Sequence, residues 1–209
     1  MFSLTGVNLE QRILGCADGP AAFNSMLTRR GGRVVSADPL YEFSADEIQD
    51  RIEATFDEVL EKVAHNREEY VWTEIASPED LGQERMAAME AFLLDFERGK
   101  TDERYVCASL PELPFPDDSF DLALCSHFLF LYSPQLDEEF HVNAIQEMGR
   151  VAPEARIFPV VELDNQRSRH LDSVMARLAE AGYKLTLETV QYEFQRGGNQ
   201  MLRVQRPAT

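Results

Sequence analysis

The segment Leu113-Pro114-Phe115-Pro116-Asp117-Asp118-Ser119-Phe120-Asp121-Leu122-Ala123-Leu124-Cys125-Ser126-His127 constrains this chain more than any other. Two prolines around Phe115 stiffen the lead-in, and Asp117-Asp118-Ser119 reads as a turn. The apolar run over residues 122–126 then reads as a short strand ending in small and polar residues. In an open parallel sheet, Ser126 and His127 would stand at the carboxyl edge, where ligands bind.

The rest of the chain alternates in the manner such a sheet needs. Residues 12–17 form an apolar run that breaks at Gly15-Cys16-Ala17-Asp18-Gly19-Pro20, a strand followed by a turn. Residues 21–30 read as a helix with Phe23, Met26 and Leu27 on one side, closed by Gly31-Gly32. A β-branched strand follows over residues 33–38 and is stopped by Pro39. A strand-helix-strand unit of this length forces parallel pairing.

Residues 42–100 hold two helices where one crossover would suffice. The first opens with the capping box Ser44-Ala45-Asp46-Glu47 and carries Ile48, Ile52, Phe56, Val59, Leu60 and Val63 at helical spacing. The second opens at Ser77-Pro78-Glu79, carries Leu81, Met86, Met89, Leu93 and Phe96, and is expected to end at Gly99. The pair reads as a lid-like insertion continuous with one domain over residues 1–209. Alternation then resumes, with strands over 105–109, 122–126 and 156–163 and helices over 137–150 and 168–181. Strands over 184–194 and 200–205 flank Arg196-Gly197-Gly198-Asn199, a hairpin signal. The expected fold is α/β: a doubly wound, mostly parallel seven-stranded sheet ending in an antiparallel hairpin.

This order of elements, with the 113–127 segment and the glycine turn, resembles class I (Rossmann-like) S-adenosylmethionine-dependent methyltransferases. The resemblance runs from Arg12 to Gln205 and implies a cofactor site. Gly15, Cys16, Ala17 and Gly19 would face the cofactor, with Asp38 and Pro39 at the ribose. Ser109 and Leu110 would lie at the adenine, and Ser126 would line the site beside His127, the candidate proton acceptor. Plainer roles exist for the same residues: Asp38 capping a turn, Ser109 in a turn before Pro111, His127 as lining. Two departures from the family pattern stand out, Ile13 where an acidic residue is common and Ala17 in place of a glycine. A dinucleotide is disfavoured because the third glycine of its fingerprint is missing and Asp18 puts negative charge where a pyrophosphate would sit.

Composition narrows the acceptor. A formal net charge of -17, from 37 acidic and 20 basic residues, repels nucleic acid and anionic lipid. The signature of amino-methylating nucleic-acid enzymes does not follow residue 126. The chain has no apolar run of the ~18 residues needed to span a membrane, and no signal peptide is visible at its start. Cys16, Cys107 and Cys125 fit neither a disulfide framework nor a zinc site and read as buried small residues in a reducing cytoplasm. His65, His141 and His170 show no metal-ligand spacing, so no metal is expected. Tyr41, Phe43, Tyr70, Trp72, Phe128, Phe130 and Tyr132 are candidates to wall an entrance beside the insertion. The expectation is therefore methyl transfer to a small molecule or other non-nucleic acceptor. A non-catalytic cofactor-binding module and, less well supported, a dinucleotide-dependent oxidoreductase are the alternatives. Oligomeric state is not legible.

Overall fold

The protein is described by a computed structural model over residues 1–207. Seven strands form one sheet: β1 (Arg12–Cys16), β2 (Arg33–Ala37), β3 (Tyr105–Val106), β4 (Leu122–Ser126), β5 (Glu154–Phe158), β6 (Lys184–Thr189) and β7 (Gln200–Gln205). Their spatial order is β3-β2-β1-β4-β5-β7-β6. The first five are parallel, whereas β7 runs antiparallel between β5 and β6. The chain reverses its direction of winding between β1 and β4, where Cys16 sits opposite Cys125. Six helices accompany the sheet: α1 (Gly6–Leu9), α2 (Phe23–Arg29), α3 (Ala45–His65), α4 (Pro78–Thr101), α5 (Glu138–Val151) and α6 (Leu171–Glu180).

The central strands are buried on both faces, which is why they read as unbroken apolar runs. Successive side chains still point to opposite faces. Leu14, Cys16, Ala123 and Cys125 meet Ile145, Met148, Val174 and Leu178 of α5 and α6. Ile13, Val34, Leu122 and Leu124 meet Leu27 of α2 on the other face. A separate core holds the insertion: Tyr41, Ile48, Ile52, Phe92, Phe96 and Tyr105, with ring centroids 4.9 to 5.9 Å apart.

The caps of the insertion form as the sequence predicts. Ser44 Oγ accepts from the Glu47 amide while the Glu47 carboxylate accepts from the Ser44 amide at 2.9 Å. Ser77 caps α4 with Pro78 in the first turn. Gly99 does not end α4, however. The helix runs on to Thr101, and Gly99 is small because a Cβ there would stand 2.3 Å from the Tyr105 ring.

Other boundaries also differ. The inward face of α2 is partly polar: Asn24 is buried, donating to Ser36 Oγ and Arg104 O, while Met26 is exposed. β3 shrinks to two residues, so Cys107 lies outside it and is exposed, not buried as the sequence predicts. β5 stops at Phe158, before Pro159, which has no amide to donate. β6 ends at Thr189, and the Gly197-Gly198 pair belongs to a long connection rather than a tight hairpin turn. The short α1, boxed by Thr5 and Asn8, was not foreseen.

The link between α3 and α4 crosses the carboxyl edge of the sheet. It leaves from the β2 side and docks on loops after β5 and β6. The Val71 amide donates to Phe194 O, the Arg196 amide to Glu69 O, and Asn165 Nδ2 to Glu69 O. Tyr70 stacks on Phe194 at 4.8 Å and Trp72 packs edge-on. Those two aromatics fasten the insertion rather than wall an entrance.

Candidate functional site

The turn after β1 is closed by its own side chains. Asp18 folds back over the sheet and accepts a 2.6 Å bond from Ser36 Oγ. A Cβ on Gly15 would stand 1.9 Å from Asp18 Oδ2. Gly15 is thus required by a carboxyl group of the chain itself. Burial pushes Asp18 up to about 6, against the pull of the Ser36 bond, and neighbouring Asp38 adds to the rise. Ala17 and Gly19 both take left-handed backbone, with φ of 54° and 57°. Nothing lies within 4 Å of where a Cβ on Gly19 would be, so the open face of the turn is there.

Asp38, at the carboxyl end of β2, binds both ways. Its Oδ2 accepts from the Gly19 amide and its Oδ1 from the Leu40 amide, each at 2.8 Å. Burial raises its pKa while those two amides lower it. Tyr41 Oη donates to Gly19 O at 2.8 Å and its ring is fully packed. The end of β2 therefore shapes the turn of β1. Each Asp38 oxygen keeps a second lone pair.

The remaining candidates spread along the same edge. Cys16 and Leu110 are buried in the core, so only their backbone is available there. Pro39 and Ser109 are exposed, Ser109 lying beyond the short β3. Ser126 Oγ lies 2.8 Å from His127 Nδ1. His127 follows β4 with φ of 53°, its amide donates to Phe158 O, and its ring packs edge-on against Phe158 at 5.6 Å. Burial, then the charges of Arg85 and the terminal amine, lower the His127 pKa to about 4. The imidazole is therefore neutral at physiological pH and a weak proton acceptor.

A cavity of about 240 Å³ lies between α3 and α4. Pro20 and Leu40, which follow Gly19 and Asp38, form its floor, and Ile48, Ile52, Phe56 and Met89 its apolar walls. Arg51, Thr55 and Arg85 also line it, and none of the three stood out in the sequence. The available signal was spacing: Arg51 and Thr55 are four apart beside the Ile48–Ile52 stripe, as Arg85 and Met89 are on α4. None of the seven aromatics expected to wall the entrance lines this cavity, and Tyr41 and Phe130 are core. Among the described residues, no cluster of His, Cys, Asp and Glu is arranged to hold a metal ion. No helix among them is long and apolar enough to cross a membrane.

Comparison with known proteins bears on this geometry. Residues 81–156 match a family model described as a methyltransferase domain. That span contains the 113–127 segment and leaves out the glycine turn and Asp38. The chain is 30% identical over 208 residues to the uncharacterized protein MJ0045 of Methanocaldococcus jannaschii, covering 99% of this chain and 90% of that one. Its fold is similar to that of the S-adenosylmethionine-dependent methyltransferase SibL in its apo form, with a TM-score of 0.50 at 15% identity, over 94% of this chain and 50% of that one. For the magnesium protoporphyrin IX methyltransferase of Synechocystis PCC 6803 the TM-score is 0.48 at 11% identity, over 96% and 72% of the two chains. Strand order, antiparallel C-terminal pair and matched domain define the class I S-adenosylmethionine-dependent methyltransferase fold. The chain has that fold and a methyltransferase-domain match over residues 81–156, and it belongs to one family with the methanogen protein.

Proposed function

We propose that the protein is an active S-adenosylmethionine-dependent methyltransferase whose acceptor is a small, non-nucleic molecule held between the carboxyl edge and the insertion. The observation that carries this reading is the cavity: its floor residues Pro20 and Leu40 are the immediate neighbours of Gly19 and Asp38. A molecule in it would lie against the proposed cofactor edge and under tethered helices.

The residues present fit the cofactor. Asp38 has a lone pair on each oxygen left for the two ribose hydroxyls. The backbone of Gly15, Cys16, Ala17 and Gly19 offers an approach that is open at Gly19. Asp18 and Asp38 make this edge acidic, which suits a cation and opposes a pyrophosphate. Pro39, Ser109 and Leu110 would flank the adenine, and Ser126 would lie at the β4 side. When bound, S-adenosylmethionine supplies a methyl group already activated on a sulfonium and open to in-line displacement. The chain's part is then to orient the acceptor and exclude water. In this reading His127, half-buried and neutral, lines the site and contributes little as a base. The free thiols Cys16, Cys107 and Cys125 suit a cytoplasmic setting.

The test is transfer of a labelled methyl group into fractionated cell extract. Label in the small-molecule fraction, lost in Asp38→Ala, is expected. Label in nucleic acid would overturn the acceptor class. Cofactor binding with no transfer to any fraction would favour a non-catalytic binding module, a reading that the self-closed bonding of the glycine turn keeps in view.

A further inference from the structure

Basic side chains are scarce in this chain, and most are committed. Arg12, Arg104, Arg150, Arg156, Arg169 and Arg203 are each held by carboxylates. Arg51 and Arg85 are different. Among the described residues neither makes an ion pair or a side-chain hydrogen bond, and both line the cavity between α3 and α4. Thr55, beside them, already spends its hydroxyl on Arg51 O at 2.9 Å. The two guanidinium groups are thus the uncommitted polar groups of an otherwise apolar lining. Both are solvent-exposed at the rim of the cavity, and in a protein of net charge -17 two unpaired arginines lining one cavity from two helices offer an anion a local positive site.

We propose that the acceptor is a small organic acid, with its apolar body between α3 and α4 and its carboxylate on Arg51 and Arg85. The proposal rests on the methyltransferase reading for the word acceptor, but not for the binding itself. Guanidinium forks match a planar carboxylate and hold it by paired hydrogen bonds. A neutral ligand would leave both charges unused. A polyphosphate would meet the acidic field of the whole surface with several charges instead of one. The cavity volume of about 240 Å³ corresponds to about eight water-sized groups, so an acid of octanoate size fills it.

The test titrates the full chain, with saturating S-adenosylhomocysteine and without it, using octanoate and octanamide, with butanoate and hexadecanoate as short and long controls. Octanoate is expected to bind about tenfold or more tightly than octanamide. In Arg51→Gln and Arg85→Gln that preference should fall to near equality, with octanamide and S-adenosylhomocysteine binding unchanged. Equal binding of acid and amide by the parent, or an acid preference that survives both substitutions, overturns the proposal. Binding of S-adenosylhomocysteine with no binding of octanoate or butanoate also overturns it, and leaves the methyltransferase reading standing. Octanoate binding without S-adenosylhomocysteine binding supports the acid site and removes the methyltransferase reading instead.

Discussion

The carboxyl ends of β1 and β4 lie side by side, and each is followed by a non-glycine residue in left-handed backbone, Ala17 and His127. Their chemistry is opposite. The β1 end, with its β2 neighbour, is acidic: Asp18 and Asp38 are gathered there, bonded to Ser36, Gly19 and Leu40. The β4 end is half-buried and feels positive charge from Arg85 and the terminal amine. The division also separates two kinds of strain. Burial makes Asp18 reluctant to lose its proton, and burial with repulsion makes His127 reluctant to gain one.

The acidic end breaks most sharply at Gly15. Gly15→Ala must expel the Asp18 carboxyl group, and we expect a loss of about 3 kcal/mol in a denaturant titration, at the upper end for overpacking. In an Asp18→Ala background the same change should cost less than about 1 kcal/mol, because the obstacle is gone. Equal costs in both backgrounds would show that Gly15 answers to something other than Asp18.

The two ends should also titrate against each other. Asp18 has its folded pKa raised from 3.8 to about 6. The folded state therefore holds this proton more tightly, and the associated stability, complete below the unfolded value, is lost as pH rises through about 6. Asp18→Asn keeps the neutral form, and should be more stable than the parent above that window by about 1–3 kcal/mol. The gain should vanish as pH falls through the unfolded value. His127 runs the other way: its folded pKa is lowered from 6.5 to about 4, so its contribution is present above the unfolded value and lost as pH falls toward about 4. Any penalty of His127→Gln at neutral pH should therefore shrink over that fall. Unfolding curves across pH for both variants check the signs, and two parallel profiles would refute the opposition.

Asp38→Ala sharpens the cofactor side. It removes the acceptor of the Gly19 and Leu40 amides and the proposed partner of the ribose, and should weaken S-adenosylhomocysteine by about 1–3 kcal/mol. Calorimetric titration reads it directly, and an unchanged affinity would take Asp38 out of the site. Ala17→Gly should give the smallest effect. It relieves left-handed strain on a residue with a Cβ, raising stability by about 1 kcal/mol, without loss of cofactor affinity.

Much of this was legible in the sequence because it depends on local order. The strand at 122–126, the caps at Ser44 and Ser77, the two-helix insertion and the sheet class follow from short-range pattern. What escaped depends on how the folded chain brings particular side chains together. Gly99 resembled a helix stop until the ring of Tyr105 was seen against it. The sequence marks Gly15 as a place of close approach, and the structure adds that the Asp18 carboxyl group lies over it. Met26 satisfied the apolar spacing of α2, but the sheet takes up Asn24 and Ser25 instead. Arg51 and Arg85 were not legible because their shared place depends on two separate helices lining one cavity. Asp38 was found by its place at a strand end, whereas its hold on the glycine turn belongs to tertiary structure.

The most direct measurement is calorimetric titration of the purified chain with S-adenosylmethionine and S-adenosylhomocysteine, with NAD as the control. Saturable binding of the first two, with none of NAD, is the predicted result. Silence from both sulfur ligands, or binding of NAD, would contradict the assignment of the acidic edge to the cofactor.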